Sequence, residues 1–236
     1  MSELFRTILS QPLFNALVLL YEHASFNSLG LAIIFLTIIV RLILFPLFHK
    51  TAKHQRIAQQ IQPEVKKIQE KHKDNREAQT RELMELYKKN NVNPITPIFL
   101  LILQLPILFA LYKLFINGLS ENTYSLLYSF VPVPENISHT FLRVVELNSV
   151  SIPLAVLAAM AQYAQGKLAI SRSKNQDALP AQARKIAKMS VFLGPIIALM
   201  VLTRFPAAVG LYWLTSTVFS IIQQTIVNKS VAKSNG

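Results

Sequence analysis

The 236-residue chain contains no cysteine. Within it this excludes disulfides, thiolate metal sites, cysteine nucleophiles and a lipid-modified cysteine. Charge is scarce too: 15% of residues are Asp, Glu, Lys or Arg, against ~25% in a soluble domain. There is no GxxxxGK[ST] phosphate loop and no GxGxxG. The five histidines, His23, His49, His54, His72 and His139, lie outside the long apolar segments and show no zinc-ligand spacing. Those segments also lack Asp and Glu, which argues against an ion-coupled pump. No Ser–His pair falls within them, which disfavours an intramembrane serine protease. The pattern points to no enzyme and to no cofactor.

What the chain has is apolar length. Hydrophobic residues make up 52% of it and the mean hydropathy is +0.36. Five apolar segments are readable: Ser28–Phe48, Ile95–Ile116, Val150–Gly166, Met189–Thr203 and Ala207–Val227. A hydrocarbon core needs ~20 helical residues, so the expected fold is an all-α polytopic membrane bundle of five transmembrane helices. Residues 1–27 carry Phe5, Ile8, Leu9, Leu13, Ala16, Leu17 and Leu20 at helical spacing, interrupted by polar residues and Pro12. An amphipathic interfacial helix on the outer surface fits these better than a sixth span or a signal peptide.

Arg41 sits inside the otherwise uncharged first segment. It keeps its charge at any ordinary pH. At mid-bilayer such a charge costs roughly 2.5–3.5 kcal/mol by insertion assays and about 10–17 in simulations. If the segment is a straight helix to His49, the arginine lies on the order of 12 Å inside the boundary. It then either snorkels to the headgroups or faces a water-filled cavity lined by protein.

Positive charge fixes the expected orientation. The loop 49–93 holds eleven Lys/Arg against six acidic residues, and 167–188 holds six Lys/Arg and only Asp177. Lys229 and Lys233 add to the tail 229–236. The positive-inside rule places these in the cytoplasm and the amino terminus outside. Within 49–93, Ile57, Ile61, Val65 and Ile68 form one stripe and Leu83, Leu86 and Tyr87 another. Lys73-Asp74-Asn75 is the expected turn, and Pro63 forces a kink or restart at Gln62. This predicts an antiparallel helical pair at the membrane surface; a solvated coiled-coil spacer has the same pattern. The more purely basic 167–188 and tail suit ribosomal RNA or anionic lipid, and charge alone does not choose.

Several polar residues interrupt the apolar segments. Thr37 lies one turn before Arg41 on the same helix face. Gln104 sits beside Pro106, Gln162 and Gln165 share a face, and Trp213, Thr217, Ser220 and Gln224 fall at i, i+4, i+7 and i+11. Amides and hydroxyls in lipid must meet one another or water, so these faces should converge. Each also has the simpler reading of an interhelical hydrogen bond.

Five motifs in order, GLAIIFLTIIVRLILFPL (Gly30–Leu47), IQPEVKKIQEKHKDN (Ile61–Asn75), LYKKNNVNP (Leu86–Pro94), LQLPILFALY (Leu103–Tyr112) and FPAAVGLYWLTSTVFSIIQQ (Phe205–Gln224), resemble the YidC/Oxa family of membrane protein insertases. The resemblance implies five spans around a hydrophilic groove that opens to the cytoplasm and to lipid but not to the exterior. It implies a groove lined by Arg41, Thr37, Gln162 and Trp213, which Gln104 and Thr217 are expected to join as polar residues of the same converging faces. Leu105, Leu108, Phe192 and Ile196 would flank a lateral slide for client helices. Nascent membrane proteins are the implied clients, received without nucleotide hydrolysis, with the ribosome, the Sec translocon and membrane lipids as further partners. The implied setting is the bacterial plasma membrane, and the implied working form a monomer. The expected organisation is an interfacial helix 1–27, a first span 28–48, a cytoplasmic hairpin 49–93, spans two to five over 94–228 and the tail. Many members of the family carry a large extracytoplasmic domain and others begin as lipoproteins; neither is expected of this chain. The chain also departs from the family in carrying Arg204 before Phe205-Pro206, and its tail is short. A small-solute channel or transporter with an arginine-lined anion site is the competing expectation, although the two halves show no internal repeat. A purely structural assembly factor is a third.

Overall fold

The computed structural model describes residues 3–93, 109–110, 112, 124–134, 137–170 and 181–234. Residues 94–108 and 113–123, with Gln104, Leu105, Leu108 and most of the second apolar segment, lie outside them. So do 171–180 of the basic loop.

Helix α1 (Glu3–His23) contains a π-helical turn at Arg6–Ser10, just before Pro12. Its residues Phe14, Leu17, Val18 and Tyr21, at i, i+3, i+4 and i+7, form a fully buried stripe. By length and composition α1 is apolar enough to cross a membrane. A turn with Phe26 and Asn27 at positive φ leads into α2 (Leu29–Ile43), capped by the Ser28 hydroxyl.

The first apolar segment is not one straight rod. Helix α2 ends at Leu44, and α3 (Phe45–Gln60) departs at 65° with Pro46 in its first turn. Proline has no N–H to continue the ladder and pre-sets the φ of a new first turn, so the bend follows from the sequence. Pro63 acts the same way: α3 stops at Gln60, and α4 (Gln62–Lys71) starts just beyond. Helix α5 (Arg76–Lys89) returns after a turn in which the Asn75 side chain accepts from the Ala78 N–H at 3.0 Å. Ile61, Val65, Ile68 and Leu86, flanked by Leu83 and Tyr87, form a small core of their own between α4 and α5.

Strands β1 (Thr140–Phe141) and β2 (Val145–Glu146) pair antiparallel across a turn with Leu142 and Arg143 at φ 52° and 59°. Three long helices follow: α6 (Ile152–Ile170), α7 (Ala181–Leu202) and α8 (Ala207–Ser234). Helix α8 runs unbroken through the expected end of the fifth span into the tail, because no Gly or Pro lies between Val227 and Ser234. Pro195 in α7 cannot donate to the Val191 carbonyl. Gly166 of α6 sits against that exposed carbonyl, where a Cβ would come within 3.4 Å of it.

One main core joins α1, α2, α6, α7 and α8 with the segment around 124–149. That segment caps one end of the bundle. The α8 N-terminus donates from Ala207 N–H to the Ser149 carbonyl (2.7 Å) and from Ala208 N–H to that of Leu147 (3.0 Å). These bonds satisfy donors that a helix start leaves open. Phe141 lies over Gly30 of α2, where any Cβ would collide with its ring. Glycine at 30 is therefore required by close approach rather than by backbone conformation.

Candidate functional site

Buried residues change in kind along each helix away from the capped end. On α2 they run Leu29, Ala32, Ile33 and Leu36, then Thr37 and Arg41. On α8 they run Ala207, Ala208, Val209, Leu211 and Tyr212, then Ser216, Thr217, Gln223, Gln224 and Asn228, with Val227 the one large apolar residue buried among the latter. Helix α6 buries Leu154, Ala155, Ala158 and Ala159 before reaching the half-buried Gln162 and Gln165. The polar ends of all three lie at the far end of the bundle.

Arg41 is only 8% exposed. Its guanidinium carbon lies 4.5 Å from the centroid of the Phe48 ring, within cation–π range. The 65° bend makes this contact possible by turning Phe48 of α3 back toward the last turn of α2. It also changes the depth that a straight helix implies. Beyond Leu44 the chain advances along the α2 axis at less than half the helical rise, so Arg41 precedes His49 by about 8 Å along that axis rather than ~12 Å. The Thr37 hydroxyl is buried and donates to the Ile33 carbonyl at 2.6 Å.

Gln162 and Thr217 meet. The Thr217 hydroxyl shares its one proton between Gln162 Oε1 (3.1 Å) and the Trp213 carbonyl (2.9 Å). Gly194 of α7 makes room for Gln162, since a Cβ there would stand 3.0 Å from Gln162 Cγ. Gln162 thus ties α6 to both α7 and α8. Trp213 is half-buried against the main core. Phe192 and Ile196 are about half exposed on α7, and the Phe192 ring lies 5.5 Å from that of Tyr163. With Leu193, Ile197 and Met200 they form an apolar outer face.

Sequence reasoning missed Gln223. Only 4% exposed, it donates from Nε2 to the Phe45 carbonyl at 3.1 Å and fastens α8 to the first residue after the bend. Phe219 adds an edge contact to the Phe45 ring at 6.5 Å. Ser216 and Asn228 were missed as well, and both are buried with polar atoms that meet no partner among the described residues. The available signal for two of them was spacing: Ser216 and Gln223 fall at i and i+7, alongside the stripe already recognised, whereas Asn228 falls off that line. Among the described residues no cluster of His, Asp or Glu could hold a metal ion.

The 60Kd inner membrane protein family model matches residues 20–234. The chain belongs to that family. Relatives named "Membrane protein insertase YidC" include one from Pelobacter propionicus, 31% identical over 95% of this chain and 39% of its own length. A second, from Geobacter metallireducens, is 28% identical over 95% of this chain and 38% of its own. A third, from Oceanobacillus iheyensis, is 32% identical over 85% of this chain and 74% of its own. The chain thus spans about two fifths of the length of the first two and three quarters of the third. Its predominantly helical architecture suits a membrane protein of this family.

Proposed function

We propose that the chain is a membrane protein insertase. In this reading it receives nascent hydrophobic segments from the cytoplasm into a hydrated groove and releases them sideways into lipid, without nucleotide hydrolysis. One observation carries the reading: buried side chains turn from apolar to mostly polar along α2, α6 and α8, and on α2 they end in a buried arginine. Lipid would not tolerate that set of amides, hydroxyls and charge unless they met water or one another. Dry packing at the capped end, among the described residues, supports closure toward the exterior. That closure disfavours a solute channel. The relatives' name points the same way.

The setting is a bacterial plasma membrane, with the capped end and amino terminus outside and the α4–α5 hairpin and carboxyl terminus in the cytoplasm. Five spans enclose the groove, with Ile95–Ile116 as the second. Arg41, Thr37, Gln162, Thr217 and Trp213 line it, with Gln104 from that second span; Leu105, Leu108, Phe192 and Ile196 flank the exit. The acidic translocated end of a client meets Arg41 in a medium that screens less than bulk water. Partition of the client's apolar helix then drives release. At about 0.3–0.6 kcal/mol per favourable residue, a ~20-residue helix supplies several kcal/mol. The ribosome and the Sec translocon are the expected suppliers of clients, and the working unit is a monomer.

Reconstituted insertion into proteoliposomes tests the reading. Arg41→Ala should impair clients with acidic translocated ends, while Arg41→Lys retains most activity because charge matters more than the fork of donors. An alanine variant that inserts such clients normally removes Arg41 from the mechanism. Absence of any client insertion by the parent chain overturns the assignment.

A further inference from the structure

Asn15 interrupts the apolar stripe of α1, yet it is only 2% exposed. Its carboxamide makes three hydrogen bonds, using both N–H donors and the oxygen. Nδ2 donates to the Gln11 carbonyl within the helix (2.8 Å) and to the Leu126 carbonyl (2.9 Å), and Oδ1 accepts from the Tyr128 N–H (2.7 Å). The two long-range bonds reach 111 and 113 residues along the chain. They engage a carbonyl and an N–H two residues apart, as the edge of a neighbouring strand would. Residues 125–134 form turns without helix or strand, so this amide serves backbone groups that regular structure does not. Leu126, Leu127, Tyr128 and buried Val131 thereby pack on the main core. Farther along, the Tyr21 hydroxyl accepts from the Ser138 N–H at 3.3 Å, and Phe141 covers Gly30.

We propose that Asn15 is a positioning residue that latches the cap. Its carboxamide keeps 124–134 seated on α1 and so keeps exterior water out of the polar far half. The proposal rests on the groove reading above. It makes α1 part of the permeability barrier rather than only a surface anchor.

The native chain has no thiol, so Ser216→Cys provides a single reporter in the polar half. Full-length protein in right-side-out and inside-out membrane vesicles is exposed to a membrane-impermeant maleimide. In the parent reporter, labelling is expected from the cytoplasmic face only. Asn15→Leu should add labelling from the outer face, on the order of tenfold faster, because two inter-segment bonds no longer oppose local opening. Asn15→Ser, which is too short to reach both partners, should give a smaller rise in the same direction. Cytoplasmic-face labelling that stays unchanged in both variants separates an opened cap from a misfolded bundle. Unchanged outer labelling in both, with normal inner labelling, overturns the latch and leaves the groove reading standing. No labelling of the parent from either face overturns the groove reading, and the latch with it.

Discussion

The two ends of the bundle are buried to similar degrees but by different means. Near the cap, Phe14, Leu29, Ile33, Leu147 and Val209 are at most 2% exposed and make a dry apolar core. At the far end Thr37, Arg41, Ser216, Gln223 and Asn228 are also under 9% exposed, but their burial depends on hydrogen bonds, an aromatic face and unmet polar atoms. Apolar burial stabilises wherever it occurs, whereas polar burial is favourable only when each group finds a partner. The capped half should therefore carry stability and the far half activity. The same degree of burial does two jobs.

The largest test of that division is Phe14→Ala, which should cost roughly 3–5 kcal/mol of stability, read from denaturation in detergent micelles. Insertion per folded molecule should hold. A marked loss of activity without loss of stability would break the comparison. Arg41→Ala should do the reverse. Insertion of acidic-ended clients should fall about tenfold or more, the scale of a lost charge-assisted contact, in a reconstituted assay. Stability should fall less than with Phe14→Ala, since loss of the Phe48 ring contact is offset in part by removal of a buried charge. Gln223→Leu leaves the Phe45 carbonyl short of its donor and should cost about 1 kcal/mol. Hydrogen exchange should quicken in the first turn of α3 while α6 is unchanged.

The smallest effect belongs to the hairpin, outside both halves. Both Glu82 oxygens accept from Lys71 Nζ at 3.1 Å, and the Glu82 carboxylate also contacts His72 Nε2. Bonding to Lys71 first, and to His72 second, holds the Glu82 carboxyl below its usual titration range. A depressed acid contributes stability that is complete above its unfolded pKa of about 4.3 and disappears as pH falls through the folded value. Acidification below that range should loosen α4 from α5 slightly, as followed by NMR shifts of Leu86. Glu82→Gln should abolish the pH dependence. The pair is exposed, so the change should be slight.

Much of this was legible in the sequence because the signals were local. Pro63 marked the restart at Gln62, Lys73-Asp74-Asn75 marked the turn, and the Ile61–Val65–Ile68 stripe found its partner Leu86. Arg41, Thr37, Gln162 and Thr217 stood out as polar residues in apolar runs, and the structure makes Gln162 and Thr217 a bonded pair. Less legible were features that depend on a distant partner. Pro46 was visible, yet the segment read as one straight span because apolar content alone does not register a bend. Asn15 looked like an interruption of an apolar stripe, and Gln223 drew no attention beside Gln224. Their partners lie more than a hundred residues away, where no periodicity reaches.

The bend at Leu44 has a mechanical consequence. The α4–α5 hairpin connects to the arginine's helix through α3, a lever of 16 residues and ~24 Å whose pivot is held by the Gln223–Phe45 bond. Phe48 sits only four residues from that pivot. A swing of about 10° would carry the distal tip of α3 some ~4 Å but the ring over the guanidinium only ~1 Å. Large excursions of the outboard arm would thus reach the charge geared down roughly fourfold, as fine adjustment rather than gross displacement.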